Sequence, residues 1–172
     1  VINDSKTYNV TAIGDNAFQG YSSLTSVSIS DSVTSIGDWA FYQCNNLKSV
    51  TFGNSVKSIG EGAFEYCDNL KSVSISDSVT SIGRYAFAYC EKLTSVSFGN
   101  SVESIGICAF LKCISLTSVS IGNSVTTIYS WAFSGCEKLT SVSIGNSVAY
   151  IGWGAFINCY SITSFTCLAT TP

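Results

Sequence analysis

Histidine and methionine are absent from this chain of 172 residues, and its single proline is the last residue. Without histidine the chain has no Ser-His-Asp or Cys-His catalytic group, and most kinds of zinc and iron site are excluded. Charged residues make up only 11% of the chain, the net charge is −3, and no basic cluster occurs, which argues against a nucleic-acid-binding surface. No apolar run approaches the roughly 20 residues that a membrane helix needs. Because a signal peptide is missing as well as methionine, we expect an internal or mature segment.

What the sequence has instead is a repeat with a period of 23 residues. Hydrophobic residues make up 46% of the chain, enough for a sizeable core at this length. We expect a single domain over residues 1–172 with about 7.5 repeats, in which 1–23 is a divergent N-terminal unit and 162–172 a truncated C-terminal unit. The first position of each unit, which carries a large aliphatic residue, is occupied without any insertion by Leu24, Leu47, Leu70, Leu93, Leu116, Leu139 and Ile162.

The unit, counted from its leucine, has a pattern of apolar positions that predicts its local structure. Apolar residues at positions 1, 4 and 6 form a short alternating stretch typical of a strand, and a turn follows at positions 7 and 8. A second apolar pair at positions 10 and 13 ends at a glycine. Alanine, phenylalanine and cysteine at positions 17, 18 and 21 share one face of a short helical turn.

A lone unit cannot bury these residues, so stacking of units must supply the core. The sequence therefore predicts an α/β solenoid, a right-handed leucine-rich repeat stack of 23-residue units. Its parallel β-sheet lies on the concave side and its short helical turns on the convex side. We expect the phenylalanines at position 18 to be fully buried in one column formed by Phe41, Phe64, Phe87, Phe110, Phe133 and Phe156.

The unit pattern L-x-x-V-x-I-x-x-S-V-x-x-I-G-x-x-A-F-x-x-C resembles the BspA-like leucine-rich repeat, a family common among bacterial surface proteins. The resemblance spans residues 8–168 and recurs in six full units. This chain departs from many members by having serine or glycine instead of proline at position 7, and Tyr129 replaces the recurrent glycine of position 14. The resemblance implies an extracellular or cell-surface location and binding to other molecules.

The resemblance favours a non-catalytic binding module with a role in adhesion or partner recognition. The partner implied is a protein or glycoprotein ligand, with host matrix proteins among the candidates. The alternative is a passive spacer or targeting domain of a larger secreted enzyme or structural protein. No enzymatic activity, cofactor, metal, nucleic-acid partner or membrane insertion is expected.

The first candidate binding surface is the outer face of the predicted sheet, where position 5 carries only small hydroxyl residues. Such a lattice suits a polar or glycan-bearing partner, although serine and threonine ladders across strands also serve simply to solvate a sheet face. The residues of this candidate site are Ser28, Thr51, Ser74, Ser97, Ser120 and Ser143.

The second candidate surface is formed by the outward positions 16, 19 and 20 of the predicted helical side, where large aromatic residues such as Tyr42, Tyr66 and Tyr89 occur. The residues selected as its candidate site are Trp39, Tyr85, Trp131 and Trp153. Outward aromatic residues are typical of an interaction patch. Alternatively, each ring lies sideways over the neighbouring unit and seals the stack. The sequence leaves both interpretations open.

Cysteine recurs at position 21 in Cys44, Cys67, Cys90, Cys113, Cys136 and Cys159, with Cys108 and Cys167 outside this column. The side chains of stacked neighbours run parallel, which disfavours disulfides, and we predict free buried thiols.

At position 15, Asp15, Asp38 and Glu61 superficially resemble a glycosidase pair or a weak calcium site. We expect them instead to cap the start of the helical turn.

The two ends of the stack are expected to be its weak points. Lys6 stands at the inward position 6, where other units carry an apolar residue, and must reach solvent or a partner. The last strand, with Phe165 and Cys167, is expected to have an open edge. We therefore predict either end-to-end self-association through that strand or a cap that follows it.

Overall fold

The computed structural model describes residues 9–168, and within them the regular structure consists of fourteen short β-strands and no helix. In chain order these are β1 (Ala12–Ile13), β2 (Ser26–Ser28), β3 (Ser35–Ile36), β4 (Ser49–Thr51), β5 (Ser58–Ile59), β6 (Ser72–Ser74), β7 (Ser81–Ile82), β8 (Ser95–Ser97), β9 (Ser104–Ile105), β10 (Ser118–Ile121), β11 (Thr127–Ile128), β12 (Ser141–Ile144), β13 (Tyr150–Ile151) and β14 (Ser164–Cys167).

Every pairing between strands is parallel and joins residues 23 positions apart, such as Ser35 with Ser58. The even-numbered strands form one side, a pair β2–β4 followed by a sheet in the order β6-β8-β10-β12-β14; we call this side the serine sheet. The odd-numbered strands form a seven-stranded second sheet in chain order. Each unit thus adds one strand to both sheets, and the chain is a parallel β-solenoid.

Buried and exposed residues alternate along the strands, because one face of each sheet lies against the core and the other faces solvent. In β6, Val73 is buried between exposed Ser72 and Ser74, because successive side chains of a strand point to opposite faces. In the second sheet, the isoleucine of each interior two-residue strand is buried, as at Ile82. Since a slip by one residue would expose these side chains, the apolar pattern fixes the register of the stack.

The third side of the solenoid is built from turns, and the predicted helical turns are wrong. Backbone φ is positive at positions 16 and 20 of the unit, for example 52° at Trp39 and 57° at Gln43, so no α-helix can run through them. The N–H groups of Trp39, Phe41 and Gln43 donate to carbonyls of the next unit at 2.7, 2.8 and 2.9 Å. These bonds between units replace the i to i−4 bonds of a helix. We call this third side the turn side.

Phenylalanine side chains fill the centre of the stack, as predicted for five of the six. Phe41, Phe64, Phe87, Phe110 and Phe133 are at most 1% exposed. Successive rings stack nearly parallel, with centroids 5.1 to 5.3 Å apart. The prediction of full burial is wrong for Phe156, which is only partly buried because no further turn covers it within residues 9–168.

The six cysteines at position 21 are buried free thiols that also form hydrogen bonds. The thiol of Cys67 donates to the carbonyl of Phe41 in the preceding unit at 3.4 Å, and the same bond recurs at Cys44, Cys90, Cys113, Cys136 and Cys159. Burial raises the pKa of the Cys113 thiol to about 12, which keeps the donating proton in place. Cysteine at this position therefore both packs and ties adjacent units together.

Asp15 and Asp38 do not cap a helix, because the turn side contains none in the described part of the chain. Instead, Asp15 Oδ1 accepts the N–H of Asp38 at 2.8 Å, and Asp38 Oδ1 accepts the N–H of Glu61 at 2.7 Å. Each aspartate thus satisfies a backbone donor of the following unit. The prediction that these acids cap a helical turn is therefore wrong: the two aspartates bind the neighbouring unit, and within residues 9–168 the Glu61 side chain accepts no such hydrogen bond.

Two further expectations concern the ends and the membrane. Lys6 lies outside the described residues. Within residues 9–168 there is no helix with the length and apolar character to span a membrane.

Candidate functional site

The row of hydroxyls at position 5 lies on the outer face of the serine sheet, as the strand alternation requires. Ser28, Thr51, Ser74, Ser97 and Ser120 are exposed, whereas Ser143 is half-buried. Strand pairing sets these residues side by side, as in the pairs Ser74–Ser97 and Ser120–Ser143. The row therefore presents one hydroxyl per strand, about 4.8 Å apart, without any charge.

Most of these hydroxyls remain available to a ligand. Within the described residues, Ser97 Oγ donates to Ser74 Oγ at 3.1 Å and Thr51 makes one long bond of 3.5 Å to the carbonyl of Val27. The neighbouring threonines at position 2 behave differently, because Thr117 Oγ1 donates to a carbonyl of the preceding unit, as does Thr140. Position 2 thus joins units, and position 5 faces outward with spare hydrogen-bonding capacity.

A shallow groove of about 400 Å³ borders the hydroxyl row and was not predicted from the sequence. It adds a carboxylate and an amide to the serines and threonines, because the turn after each strand of the serine sheet carries Asp or Asn at position 8. The polar residues that line it are Thr51, Asn54, Ser74, Ser76 and Asp77. The recurrence of Asp or Asn at position 8 was the signal in the sequence, but it was interpreted only as a turn.

A second polar groove, of about 490 Å³, lies where position 8 meets the second sheet. It has a single charged side chain, Glu103. Its lining residues are Thr80, Asn100, Ser101, Glu103, Asn123, Ser124, Thr126 and Ser147.

On the turn side, two of the predicted aromatic residues lie over glycines of the next unit. The Trp39 ring leaves no room for a Cβ at Gly62, and the Trp131 ring lies less closely over Gly154, where an added Cβ would be 3.2 Å from the ring. Trp39 is 37% exposed and Trp131 39% exposed, so the greater part of each residue is covered. This packing supports the interpretation that these rings seal the stack.

Trp153 and Tyr85 have different surroundings. Trp153 is 66% exposed and meets Trp131 edge to face with ring centroids 5.0 Å apart. The guanidinium carbon of Arg84 lies 4.8 Å from the centroid of the Tyr85 ring, a cation–π contact. Of the four predicted aromatic residues, only Trp131 and Trp153 are in contact, because they lie in adjacent units. Trp39 and Tyr85 are two units apart, and so are Tyr85 and Trp131.

The turn side also holds a row of tyrosines that belong to the outward aromatic positions considered above as an interaction patch. Tyr66 stacks on Tyr89 with centroids 4.6 Å apart and meets Tyr42 edge to face at 5.8 Å. Beside it, burial and the negative charge of Glu61 both raise the pKa of the Glu65 carboxyl. The sequence placed these tyrosines at the outward positions 19 and 20 of successive units, but it did not predict that their rings stack on one another.

Residues 9–168 contain no group of three or more Cys, Asp or Glu side chains placed to hold a metal ion. Every buried side-chain nitrogen or oxygen among them has a hydrogen-bond partner. The arrangement offers hydroxyls, amides and aromatic rings for non-covalent contacts.

Comparison with known proteins gives a consistent result. The sequence profile of the BspA type leucine rich repeat region matches six copies, over residues 5–90 and 57–171. A leucine rich repeat protein of T. pallidum with a crystal structure is 33% identical, with a TM-score of 0.84 over 89% of this chain and 72% of that chain. A leucine-rich repeat protein from Bacteroides ovatus is 31% identical, with a TM-score of 0.63, over 88% of this chain and 45% of the other. No curated protein sequence matches significantly.

Proposed function

The chain belongs to the BspA-type leucine-rich repeat family, and on that premise we propose that it is a non-catalytic module that binds a protein or glycoprotein partner. We place this activity outside the cell or at the cell surface, with adhesion as its role, and we propose that residues 1–172 act as one domain. The observation that carries the proposal is the outward row of hydroxyls on the serine sheet, repeated at one strand interval through six units.

The chemistry of the row indicates the kind of ligand. Hydroxyl groups donate and accept hydrogen bonds equally, and they match the hydroxyls of a glycan or the amides of a polypeptide. No charged side chain occupies position 5, so binding to this row should depend little on salt. Because each hydroxyl contact contributes little, affinity requires a long ligand that crosses several units.

The alternative function is a passive spacer or targeting domain of a larger secreted enzyme or structural protein. It is favoured by the lack of Trp, Tyr or Arg on the hydroxyl row, since these residues dominate the binding energy of most interfaces. Under this alternative the hydroxyls only keep the sheet face hydrated.

The test is binding to an array of glycans and host matrix proteins, with charge introduced on the row. Ser74→Lys and Ser120→Lys should each weaken binding at least about tenfold, because the ligand would then cover a lysine side chain and the charged amino group would lose its water. Thr34→Lys is the matched control, since position 11 is exposed there and already carries lysine at Lys57. Failure of the wild type to bind any probe would favour the spacer. If the serine variants bind as well as the control, the ligand does not bind to the hydroxyl row and the site lies on another surface.

A further inference from the structure

The turns that follow the strands of the serine sheet, at positions 7 to 10 of the unit, are of two kinds. The aspartate turns, at 30–33 and 76–79, read Ser-Asp-Ser-Val. The asparagine turns all read Gly-Asn-Ser-Val, and they lie at 53–56, 99–102, 122–125 and 145–148. Because the four asparagine turns have the same residues, a difference in reactivity among their asparagines comes from the surrounding structure.

The aspartate turns are held across their ends by two hydrogen bonds. In the turn at 76–79, Ser76 Oγ and Ser78 Oγ are hydrogen-bonded at 3.0 Å, and the N–H of Val79 donates to the carbonyl of Ser76 at 3.1 Å. The turn at 30–33 has the same two bonds, at 2.8 and 3.1 Å. These turns are therefore braced.

The asparagine turns lack the bond between two hydroxyls, because glycine stands in place of the first serine. In the turns at 99–102 and 122–125, the closing N–H to carbonyl bond is 3.4 Å long. In the turn at 53–56, no such bond forms between the described residues Val56 and Gly53. This turn is therefore the least constrained of the three.

Asn54 and Asn123 are both exposed, but their side chains differ in freedom. Asn123 Oδ1 accepts the N–H of Asn146 at 3.2 Å, and the hydroxyl of Ser124 donates to the carbonyl of Asn100. Within residues 9–168, the side chains of Asn54 and Ser55 form no hydrogen bond with other protein groups. Asn54 can therefore rotate without breaking a bond.

An asparagine that precedes a small residue can lose ammonia without an enzyme. The backbone nitrogen of the next residue gives its proton to water and attacks the side-chain carbonyl carbon, and the amide nitrogen leaves as ammonia. Water then opens the cyclic imide to aspartate or isoaspartate. The reaction requires a free N–H on the next residue, and the N–H of Ser55 donates to no protein acceptor among the described residues.

We propose that Asn54 is a site of spontaneous deamidation in the folded protein. The backbone nitrogen of Ser55 is the nucleophile, and the side-chain amide of Asn54 is the leaving group. Water is the only other reactant. The open turn at 53–56 allows the side chain and this nitrogen to approach each other.

Two other asparagines are protected by the same criteria. The amide groups of Asn46 and Asn69 donate to backbone carbonyls at 2.8 and 2.6 Å. The residues that follow them, Leu47 and Leu70, each donate their N–H to a cysteine carbonyl at 2.9 Å. Both the amide and the nucleophile are therefore engaged, and the leucine side chain adds bulk.

The fold already accommodates the aspartate product at position 8. Asp31 Oδ1 accepts the N–H of Asn54 at 2.7 Å, and Asp77 Oδ1 accepts the N–H of Asn100 at 2.8 Å. Conversion of Asn54 changes the net charge from −3 to −4. It also adds a carboxylate beside Asp77 in the groove of about 400 Å³ that borders the hydroxyl row. Deamidation thus makes this groove more acidic with time.

The test is to incubate the whole chain in mildly alkaline buffer, with and without denaturant, and to follow each asparagine by peptide mass spectrometry. In the folded protein Asn54 should convert at least about tenfold faster than Asn123, which must first break its hydrogen bonds. In denaturant the two should convert at the same rate, because their local sequences are identical. Equal rates in the folded protein would overturn the proposal, as would the same preference in denaturant.

Two variants test the turn and the nucleophile separately, with circular dichroism to check that each is folded. Asp77→Asn places an exposed asparagine before serine in a braced turn, and it should convert at least about tenfold more slowly than Asn54 in the same molecule. Ser55→Val shields the attacking nitrogen and should slow only Asn54, with Asn100 as the internal reference. An unchanged rate at Asn54 in Ser55→Val would overturn the assigned nucleophile, and rapid conversion in Asp77→Asn would overturn the role of the open turn.

Discussion

At the scale of the residue, the stability of this protein rests on identical side chains stacked in columns. Phe87 is fully buried between two parallel rings at 5.2 and 5.3 Å. Its removal leaves a cavity that the regular stack cannot easily close. The column was predictable from sequence because phenylalanine returns at one position of every unit.

Phe87→Ala should lower the free energy of unfolding by about 3–5 kcal/mol, the usual cost of deleting a buried ring. Phe18→Ala is the matched control, since Phe18 occupies the same position in the first unit but is 38% exposed. Denaturant unfolding measures both. A loss below about 1 kcal/mol at Phe87 would contradict the core role of the ring.

The cysteine column makes a separate prediction about reactivity. Cys167 is exposed, whereas Cys90 and Cys113 are fully buried and burial raises the pKa of both thiols. Because the thiolate is the reactive form, a thiol reagent should modify one cysteine quickly in the folded protein, and Cys167→Ser should remove that fast phase.

Under denaturing conditions without reductant, at least the six column thiols should react. Recovery of fewer would mean that neighbours in the column are paired as disulfides, and the packing argument from parallel side chains would be wrong.

At the scale of the element, the strands and the turns differ in how well the sequence determines them. Alternating Val and Ser in β6 indicates a strand with one buried face, and the structure confirms it. The turn side was predicted as helical from the spacing of Ala, Phe and Cys. That spacing fixes which side chains point inward, but it does not fix where the N–H groups bond.

The positive φ at position 16 could not be predicted from the type of residue that occurs there. Tyr85, Cys108 and Trp131 adopt this conformation although none is glycine. Left-handed backbone is unfavourable for such residues in isolation. The bonds to the next unit compensate for it, as in Tyr85 to Ile107 at 2.9 Å. This contribution comes from stacking, which no single unit reveals.

Where glycine does occur at position 16, it has a distinct role. Gly62 has φ of 56° and lies beneath the Trp39 ring. Gly62→Ala should destabilise the protein by roughly 1–3 kcal/mol, through backbone strain and displacement of the ring. Gly14→Ala is the control, because a methyl group there would meet nothing within 4 Å and the φ of Gly14 is not positive.

Thermal unfolding monitored by circular dichroism compares the two glycine variants. Adding Trp39→Ala to Gly62→Ala should recover part of the lost stability, since the smaller side chain no longer collides. An unchanged melting temperature for Gly62→Ala would show that the tryptophan does not pack there.

At the scale of the whole molecule, the sequence predicted the stack, its period and its register, and it offered two candidate binding surfaces without deciding between them. The serine sheet and the turn side differ in chemistry, yet both repeat in every unit, so periodicity alone does not distinguish a binding surface from a solvated face. The grooves beside position 8 arise only when turns of adjacent units come together. They therefore became visible only in the folded stack.

A repeat stack is stabilised by contacts between neighbours, which predicts how the whole molecule tolerates shortening. Deleting residues 70–92 removes one complete period and joins Asn69 to Leu93, where Asn46 and Leu47 meet in the preceding unit. Every remaining column stays in register, and the shortened protein should fold with a lower stability. Its denaturant m-value should fall by about one-seventh, in proportion to the surface that unfolding exposes.

Deleting residues 70–81 is the matched control, because it removes about half a period and sets inward positions against outward ones. That variant should lose cooperative unfolding and the far-ultraviolet signal of the sheets. If the two deletions behave alike, stability does not depend on register between units, and the nearest-neighbour account of this solenoid fails.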